Sequence, residues 1–405
     1  MNITCVGGGP AGLYFAILGR RLDPAASITV YDRYPPGVTY GWGVTLSDDL
    51  LDDLDARDEP TGRAVRAAAF RWEGQTVAVG DRAPVRAPGH GFGMSRQVLL
   101  EILAARATEL GVDVRHDTEL GEDDERLRGA DLVIAADGVH SRLRRRHAAD
   151  LGTTVVRGRN KFVWLGTDRV FDAFTFRFVP TDAGWIWAYG YGFDAGMSTV
   201  IVETSPETWA GLGFDRMGAA EALQALEELF AVELRGCALR LPAGSGDRLP
   251  WAEFQTVTNS RWHAGNVVLA GDAAHTAHFS IGWGTLLAFD DAIALAEAVT
   301  GGGDLQQVLA DYGRRRGKAV AEAQAIAANS RRWFENLPRY VDRDPDELTR
   351  LLFLRRSSVL QRVPPAAYLR LSQVSTSVPA LKPVRGAVRQ GLRLARQASV
   401  AGGRR

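Results

Sequence analysis

One short segment, residues 269–284, concentrates side chains that can take part in chemistry. It reads LAGDAAHTAHFSIGWG and places Asp272, His275 and His278 within seven residues, followed by a Gly-Trp-Gly turn. A carboxylate and two imidazoles at this spacing can bind a metal, serve in a hydrolase or form the floor of a cofactor pocket. The segment by itself leaves these three alternatives open.

The metal and hydrolase alternatives lack the additional residues that they need. The chain has two cysteines, Cys5 and Cys237, which are too few for a disulfide framework or a cysteine-based metal cluster. The G-x-S-x-G pattern of a strained nucleophile turn does not occur in the sequence. These absences count against a metal site and against a hydrolase, and we predict that no metal is bound.

A glycine-rich turn near the N-terminus predicts a dinucleotide site. The run GGGPAG, residues 7–12, joins an apolar strand to a helix. In this pattern Gly7 allows the turn, Gly9 lets the backbone approach a pyrophosphate, and Gly12 lets helix and strand pack closely. Asp32 ends the next strand, twenty residues after Gly12, where a carboxylate can bind an adenosine ribose. The predicted site also includes Ala11 and Arg33.

Two further acidic residues follow buried strands. Asp137 comes after the apolar run DLVIA, and Asp272 comes after NVVLA. Ligands of open α/β sheets bind at the carboxyl ends of the parallel strands. We therefore expect Asp137 and Asp272 to lie at the same edge as the glycine turn.

The change of pattern along the chain predicts two lobes and a C-terminal segment. Strand and helix patterns alternate up to about residue 153, whereas the next hundred residues alternate at period two and are rich in aromatics, which favours antiparallel sheet. We predict an α/β protein with a Rossmann-like nucleotide-binding lobe and an inserted antiparallel β-rich lobe. The predicted ranges are 1–75, 95–153 and 262–335 for the first lobe, 76–94 and 154–261 for the second, and 336–405 for a basic helical segment.

Composition excludes several classes of protein. The 48 basic and 48 acidic residues balance, so the net charge gives no general attraction to nucleic acid. No 18-residue apolar run or signal peptide is found, and we expect a cytoplasmic protein without stable membrane insertion. Residues 351–405 contain eleven Lys or Arg and no Asp or Glu, which is typical of a solvated surface helix and is also compatible with contact to a membrane surface or an anionic ligand.

Three motifs in order give the chain a family resemblance. They are G-x-G-x-x-G at 7–12, D-G-x-x-S-x-x-R at 137–144 and G-D-A-A-H at 271–275. Together they resemble the single-component FAD-dependent aromatic hydroxylases over roughly residues 1–335. The segments HTAHFSIG and YGWGVTLSDDLL are most similar to salicylyl-CoA and anthraniloyl-CoA hydroxylases and to violacein-type indole hydroxylases. This resemblance implies the GR2-type flavoprotein fold.

The resemblance also implies roles for individual residues. Asp272 would bind the ribityl chain of FAD, and Gly282, Trp283 and Gly284 would begin the helix that faces the isoalloxazine ring. Arg96 and Asp137 would contact the same cofactor. The family reduces FAD with NADH or NADPH and uses O2, and its oxidant is a flavin C4a-hydroperoxide.

The substrate is expected to be an electron-rich ring, an indole or aminoaryl intermediate of natural-product biosynthesis. An aryl-CoA substrate is the alternative, and a flavin halogenase or a non-catalytic FAD-binding protein ranks lower. We expect a monomer or homodimer. His275 and His278 are candidates for a proton relay to the substrate. The residues predicted to contact the substrate are Trp42, Phe176, Trp187, Tyr189, Tyr191 and Trp283.

Overall fold

The computed structural model describes residues 1–39, 41–242 and 244–370, and their strands form two β-sheets. The strands are β1 (Asn2–Val6), β2 (Ser27–Tyr31), β3 (Gly43–Leu46), β4 (Phe70–Val79), β5 (Val85–Ser95), β6 (Asp113–Arg115), β7 (Leu132–Ala135), β8 (Thr154–Thr167), β9 (Phe174–Thr181), β10 (Gly184–Gly192), β11 (Ser198–Thr204), β12 (Leu239–Arg240), β13 (Ala252–Thr258), β14 (His263–Ala264) and β15 (Val267–Leu269).

Helices cover both sheets, and several begin at side-chain caps such as Ser95, which accepts from the Val98 amide. The helices are α1 (Pro10–Leu22), α2 (Asp48–Arg57), α3 (Glu59–Ala68), α4 (Arg96–Glu109), α5 (Glu125–Arg128), α6 (Arg142–Arg146), α7 (Ala148–Leu151), α8 (Pro206–Gly211), α9 (Ala219–Leu229), α10 (Ala231–Leu234), α11 (Gly284–Thr300), α12 (Leu305–Glu335) and α13 (Pro345–Phe353).

The first sheet has the order β14-β15-β7-β1-β2-β6. All of its pairs are parallel except β14 with β15, so the carboxyl ends of β1, β7 and β15 lie at one edge. The strands are apolar because helices cover them, and α1 packs against α11 through Tyr14 and Phe289, whose ring centroids are 5.0 Å apart. This edge carries all three sequence motifs.

The second sheet has the order β12-β8-β11-β10-β9-β4-β5-β3, with β13 also paired to β8. Its period-two pattern separates two faces. One face packs against α9 and its neighbours through side chains such as Ile186 and Leu226. The other face carries Phe178 and Trp187, which pack against Trp333 and Phe334 near the end of α12. The second face continues toward the first sheet and there becomes the wall of a cavity.

The second sheet begins earlier in the chain than the predicted lobe does. Residues 43–46 and 70–75, assigned to the first lobe from sequence, run in β3 and β4. They belong to the second sheet because β5 pairs with both strands. The division into lobes stays a prediction, and the part of the basic segment at 371–405 lies outside the described residues.

Within the described residues, no helix combines the length and the apolar character needed to cross a lipid bilayer.

Candidate active site

A cavity of about 590 Å³ lies between the carboxyl edge of the first sheet and the aromatic face of the second. Gly9, Asp32, Asp137 and Asp272 line one part, and Phe176 and Tyr191 line the other. The three sequence motifs therefore meet at one cavity, which also reaches the aromatic wall.

The glycine turn has the geometry of a phosphate cradle. Gly7 has a φ of +111°, which L side chains rarely adopt, and a Cβ at Gly12 would lie 2.2 Å from the Gly7 carbonyl oxygen. A Cβ at Gly9 would meet nothing within 4 Å, so this glycine faces open space. The first turn of α1 carries no acidic residue, and its cap Gly9 offers no side chain. The free N–H groups and the helix dipole suit a pyrophosphate.

Asp32 lies next to this cradle and lines the cavity. Its Oδ1 accepts from the Tyr34 amide at 3.1 Å, and a Cβ at Gly8 would strike the carboxylate at 2.4 Å. Ala11 and Arg33 also line the cavity, whereas Gly12 does not and instead allows α1 to approach the turn. The arrangement fits an adenosine ribose on Asp32.

Asp137 and Arg144 connect the second motif to the third. Asp137 Oδ2 accepts from the Arg142 amide at 2.8 Å, while its buried Oδ1 has no partner in the described residues. The buried Arg144 donates to the carbonyl oxygens of Ala273 at 3.0 Å and Asp272 at 3.4 Å. Arg144 therefore ties the two motif loops together, while Asp137 keeps an acceptor for a ligand.

Asp272 directs its carboxylate into the cavity. Its side chain accepts no hydrogen bond in the described part of the chain. Partial desolvation at the cavity wall raises the pKa of this carboxyl, although His275 and Arg96 oppose the shift. Arg96 also lines the cavity, and its Nε donates to Thr39 Oγ1 at 3.0 Å. A carboxylate without a partner, facing a cavity, fits the hydroxyls of a ribityl chain.

The Gly282–Gly284 turn opens α11 toward the same cavity. Gly282 has a φ of +69°, a Cβ at Gly284 would meet nothing within 4 Å, and the cap Trp283 makes no side-chain capping bond. All three residues line the cavity. The exposed N–H groups of this helix start can stabilise negative charge on a flavin ring.

These observations show that the residues present fit FAD. The open glycine cradle, the orphaned oxygen of Asp137 and the unpartnered carboxylate of Asp272 lie along one cavity. The described residues contain no group of three or more His, Cys, Asp or Glu that could hold a metal ion.

The aromatic part of the cavity is built mostly from the second sheet. Phe176 pairs with Tyr189 across β9 and β10, and the rings of Phe174 and Tyr191 are stacked with centroids 5.4 Å apart. We call this part of the cavity the aromatic chamber. Its ring-bearing lining residues are Trp72, Phe162, Trp164, Phe174, Phe176, Tyr189, Tyr191, Phe254, Phe279 and Trp283.

Trp187 and Trp42, predicted to contact the substrate, do not line this cavity. The Trp187 ring stacks on Phe334 at 5.9 Å, so it lies in the core behind the chamber. Trp42 packs over Gly166 of β8, where a Cβ would strike its ring at 2.5 Å. The alternation of side chains along a strand predicts which face of the sheet a residue lies on. It does not predict which part of that face is covered by a helix.

His275 and His278, predicted to form a proton relay, also lie behind the cavity wall and do not line the cavity. His275 Nε2 is 2.7 Å from Asp291 Oδ2, and Asp291 also accepts from Arg316 Nε at 2.8 Å. His278 Nδ1 is 2.8 Å from Ser280 Oγ. Burial, with the positive charges of Arg331 and Arg355, lowers the pKa of His278 to about 3. Both imidazoles hold the loop in place.

Glu203 is a functional candidate that sequence reasoning missed. Tyr189, whose side chain lines the chamber, donates its hydroxyl to Glu203 Oε2 at 2.6 Å. Trp187 Nε1 and Asn160 Nδ2 also donate to this carboxylate, at 3.3 and 2.7 Å. Burial raises the pKa of Glu203 to about 7 despite these bonds. The sequence did contain one indication of this role, because Glu203 is the single acidic residue in the buried, mostly apolar strand STVIVET of β11.

The comparisons with known proteins agree with this geometry. The family described as FAD binding domain matches residues 1–327. Salicyloyl-CoA 5-hydroxylase of a Streptomyces species is 38% identical over 84% of this chain, which spans 66% of that longer protein. The 3-hydroxy-4-methyl-anthranilyl-(aryl-carrier protein) 5-monooxygenase of Streptosporangium sibiricum is 37% identical over 84% of this chain and 90% of that one.

Two further likenesses concern another monooxygenase and a solved structure. Protodeoxyviolaceinate monooxygenase of Chromobacterium violaceum is 29% identical over 89% of this chain and 95% of that protein. The solved tetrameric form of 2-methyl-3-hydroxypyridine-5-carboxylic acid oxygenase has a TM-score of 0.67 at 18% identity, covering 88% and 98% of the two chains. This likeness confirms the predicted fold class. By its family match and its close relatives, the chain belongs to the FAD-dependent aromatic monooxygenases, whose cofactor is FAD and whose usual co-substrates are NADH or NADPH and O2.

Proposed function

We propose that this enzyme hydroxylates an indole or aminoaryl ring bound in the aromatic chamber. The observation that supports the proposal is the continuity of the chamber with the predicted FAD groove, since Phe176 and Tyr191 line the same cavity as Asp272 and Gly284. Flat apolar walls with few polar groups suit a flat aromatic ligand. The predicted FAD contacts, from Gly7 to Gly284, are part of this proposal.

When bound and reduced, FAD supplies an activated oxygen atom for transfer to the ring. The residues of this chain position the ring and exclude water. Phe174 and Tyr191 form a stacked wall, and Trp283 lies at the turn that begins α11. Tyr189 donates its hydroxyl proton to Glu203 and accepts from Trp187 Nε1 at 3.0 Å, and these two bonds fix the orientation of its ring at the chamber wall.

The test is NAD(P)H oxidation by the flavin-loaded enzyme with and without indoles and aminoaryl compounds. We expect an aromatic compound to accelerate oxidation and ¹⁸O from ¹⁸O₂ to appear in the product without added halide. Oxygen transfer that required a halide would indicate a halogenase. A yellow protein whose oxidation rate no aromatic compound changed would contradict the proposal and indicate a non-catalytic FAD-binding protein.

An aryl thioester is a second candidate substrate. Relatives named for salicyloyl-CoA and for an anthranilyl group on a carrier protein are 38% and 37% identical to this chain. The same assay with salicyloyl-CoA and anthraniloyl-CoA separates the candidates. A larger kcat/KM for these thioesters than for free indoles and aminoaryl compounds would favour the second candidate.

We also propose that the protein is a cytoplasmic monomer or homodimer without a nucleic-acid partner. The equal numbers of acidic and basic residues support the last point. Size-exclusion chromatography with light scattering measures the oligomeric state, and a tetramer would contradict this part of the proposal.

A further inference from the structure

Arg355 is a buried cation at the wall of the aromatic chamber. It follows α13, is 6% exposed and lines the cavity. Its Nε donates to Ser330 Oγ at 3.0 Å, Nη1 to the Leu352 carbonyl at 2.7 Å and Nη2 to the Ser280 carbonyl at 2.7 Å. These three bonds orient the guanidinium and leave two of its five N–H donors for another acceptor.

Arg356 brings a second guanidinium to the same part of the cavity. Its side chain opens into the cavity, and its Nη2 donates to the Ile281 carbonyl at 3.3 Å. Its Cζ lies 5.2 Å from the ring centroid of Trp283, while the Cζ of Arg355 lies 5.6 Å from that of Phe176. The two cations thus lie between the aromatic wall and the turn that opens α11.

No acidic residue of the described chain neutralises this pair. The charged or acidic groups acting on Arg355 are Arg356 and the Tyr189 hydroxyl, and no carboxylate pairs with either arginine in the ranges described. Burial, reinforced by Arg356, lowers the pKa of Arg355 to about 9. By contrast, the equally buried Arg316 contacts Asp291 at 2.8 Å. A buried cation without a counter-ion is costly, and a bound anion would offset that cost.

We propose that Arg355 and Arg356 bind a carboxylate carried by the aromatic substrate, which makes the substrate an indolyl or aminoaryl carboxylic acid. This inference rests on the proposed function, because it assumes that the chamber holds the ring. A guanidinium matches a carboxylate with two parallel N–H bonds, and a second cation strengthens the contact. Both arginines lie after residues 1–327, the part of the chain that matches the family.

The experiment titrates flavin-loaded enzyme with matched acid and amide probes and follows the flavin absorbance. The pairs are anthranilate with anthranilamide, and indole-2-carboxylate with indole-2-carboxamide. We expect the wild-type protein to bind at least one acid about tenfold more tightly than its amide, as one charge-assisted contact provides. Arg356→Gln should reduce this preference at least threefold, and Arg355→Gln should abolish it.

Arg362→Gln is the matched control, since Arg362 is exposed and does not line the cavity. Arg356→Gln keeps the test valid if Arg355→Gln fails to fold, because the Arg356 side chain makes only one hydrogen bond, to a carbonyl, in the described residues. The proposal is overturned if neither acid is preferred by the wild-type protein, or if Arg356→Gln weakens acid and amide equally. The titration measures binding and needs no turnover. A missing preference for the acid would therefore contradict this inference without contradicting hydroxylation, and a missing hydroxylation activity would contradict the proposed function without affecting the binding result.

Discussion

The Tyr189 hydroxyl donates a hydrogen bond to Glu203 Oε2 across neighbouring strands, at 2.6 Å. Tyr189 faces the aromatic chamber, whereas Glu203 is buried behind it. The pair links a titratable carboxyl to the place where the ring would bind, although neither residue belongs to a family motif.

This carboxyl should make stability depend on pH. Burial raises the pKa of Glu203 from 4.5 to about 7, so the folded protein binds this proton more tightly than the unfolded chain does. The contribution of Glu203 to stability is therefore full below pH 4.5 and is lost as the pH rises to about 7. Thermal unfolding measured at several pH values reports how stability changes with pH. Glu203→Gln should remove the loss of stability between pH 4.5 and about 7, whereas Glu221→Gln, at an exposed position of α9, should keep it. If the stability of the wild-type protein and of Glu203→Gln changed with pH in the same way, the raised pKa of Glu203 would be contradicted.

Gly9 and Gly12 should respond differently to the same added methyl group. A Cβ at Gly9 meets nothing within 4 Å, whereas one at Gly12 lies 2.2 Å from the Gly7 carbonyl oxygen. Gly9→Ala should fold with a stability loss below about 1 kcal/mol and weaken FAD binding, because the methyl group occupies space that a phosphate needs. Gly12→Ala should lose at least about 2 kcal/mol through overpacking. Unfolding curves measure the stability of both variants, and FAD titration measures their affinity for the cofactor. Tight FAD binding by Gly9→Ala would contradict the assignment of the glycine turn as a phosphate cradle.

Asp272→Ala should weaken FAD binding while the protein stays folded. The Asp272 carboxylate faces the cavity and has no hydrogen-bond partner in the residues described, so its removal leaves no protein group unsatisfied. Loss of one charge-assisted hydrogen bond, about 1.5–3 kcal/mol, corresponds to a roughly 10- to 150-fold larger Kd for FAD. Reconstitution of apoprotein measures the Kd. Asp342→Ala, at an exposed loop position, serves as the control, and an unchanged Kd for Asp272→Ala would be the contrary result.

Trp187→Ala and Phe174→Ala should separate packing from substrate binding. Trp187 is 2% exposed and stacked on Phe334, so its truncation should lower the free energy of unfolding by about 3–5 kcal/mol. Phe174 lines the chamber, and its truncation should raise KM for the aromatic substrate with a smaller loss of stability. Unfolding curves and steady-state kinetics measure the two effects. A raised KM without destabilisation in Trp187→Ala would return this residue to the substrate site.

The sequence by itself determined the fold class, the family and the predicted cofactor groove. This was possible because each motif directly follows a strand, and parallel strands bring their carboxyl ends to one edge. Gly9, Asp32, Asp137 and Asp272 lie within a few residues of β1, β2, β7 and β15, so local pattern was enough to bring them together.

Only the tertiary structure decided which side chains form the substrate part of the cavity. Period two placed Tyr189 and Trp187 on one face, but the end of α12 covers Trp187 and leaves Tyr189 at the chamber. Arg355 reaches the chamber from a segment 75 residues beyond Ser280, to which it bonds. Such contacts depend on how distant elements pack, and no local pattern in a single sequence encodes them.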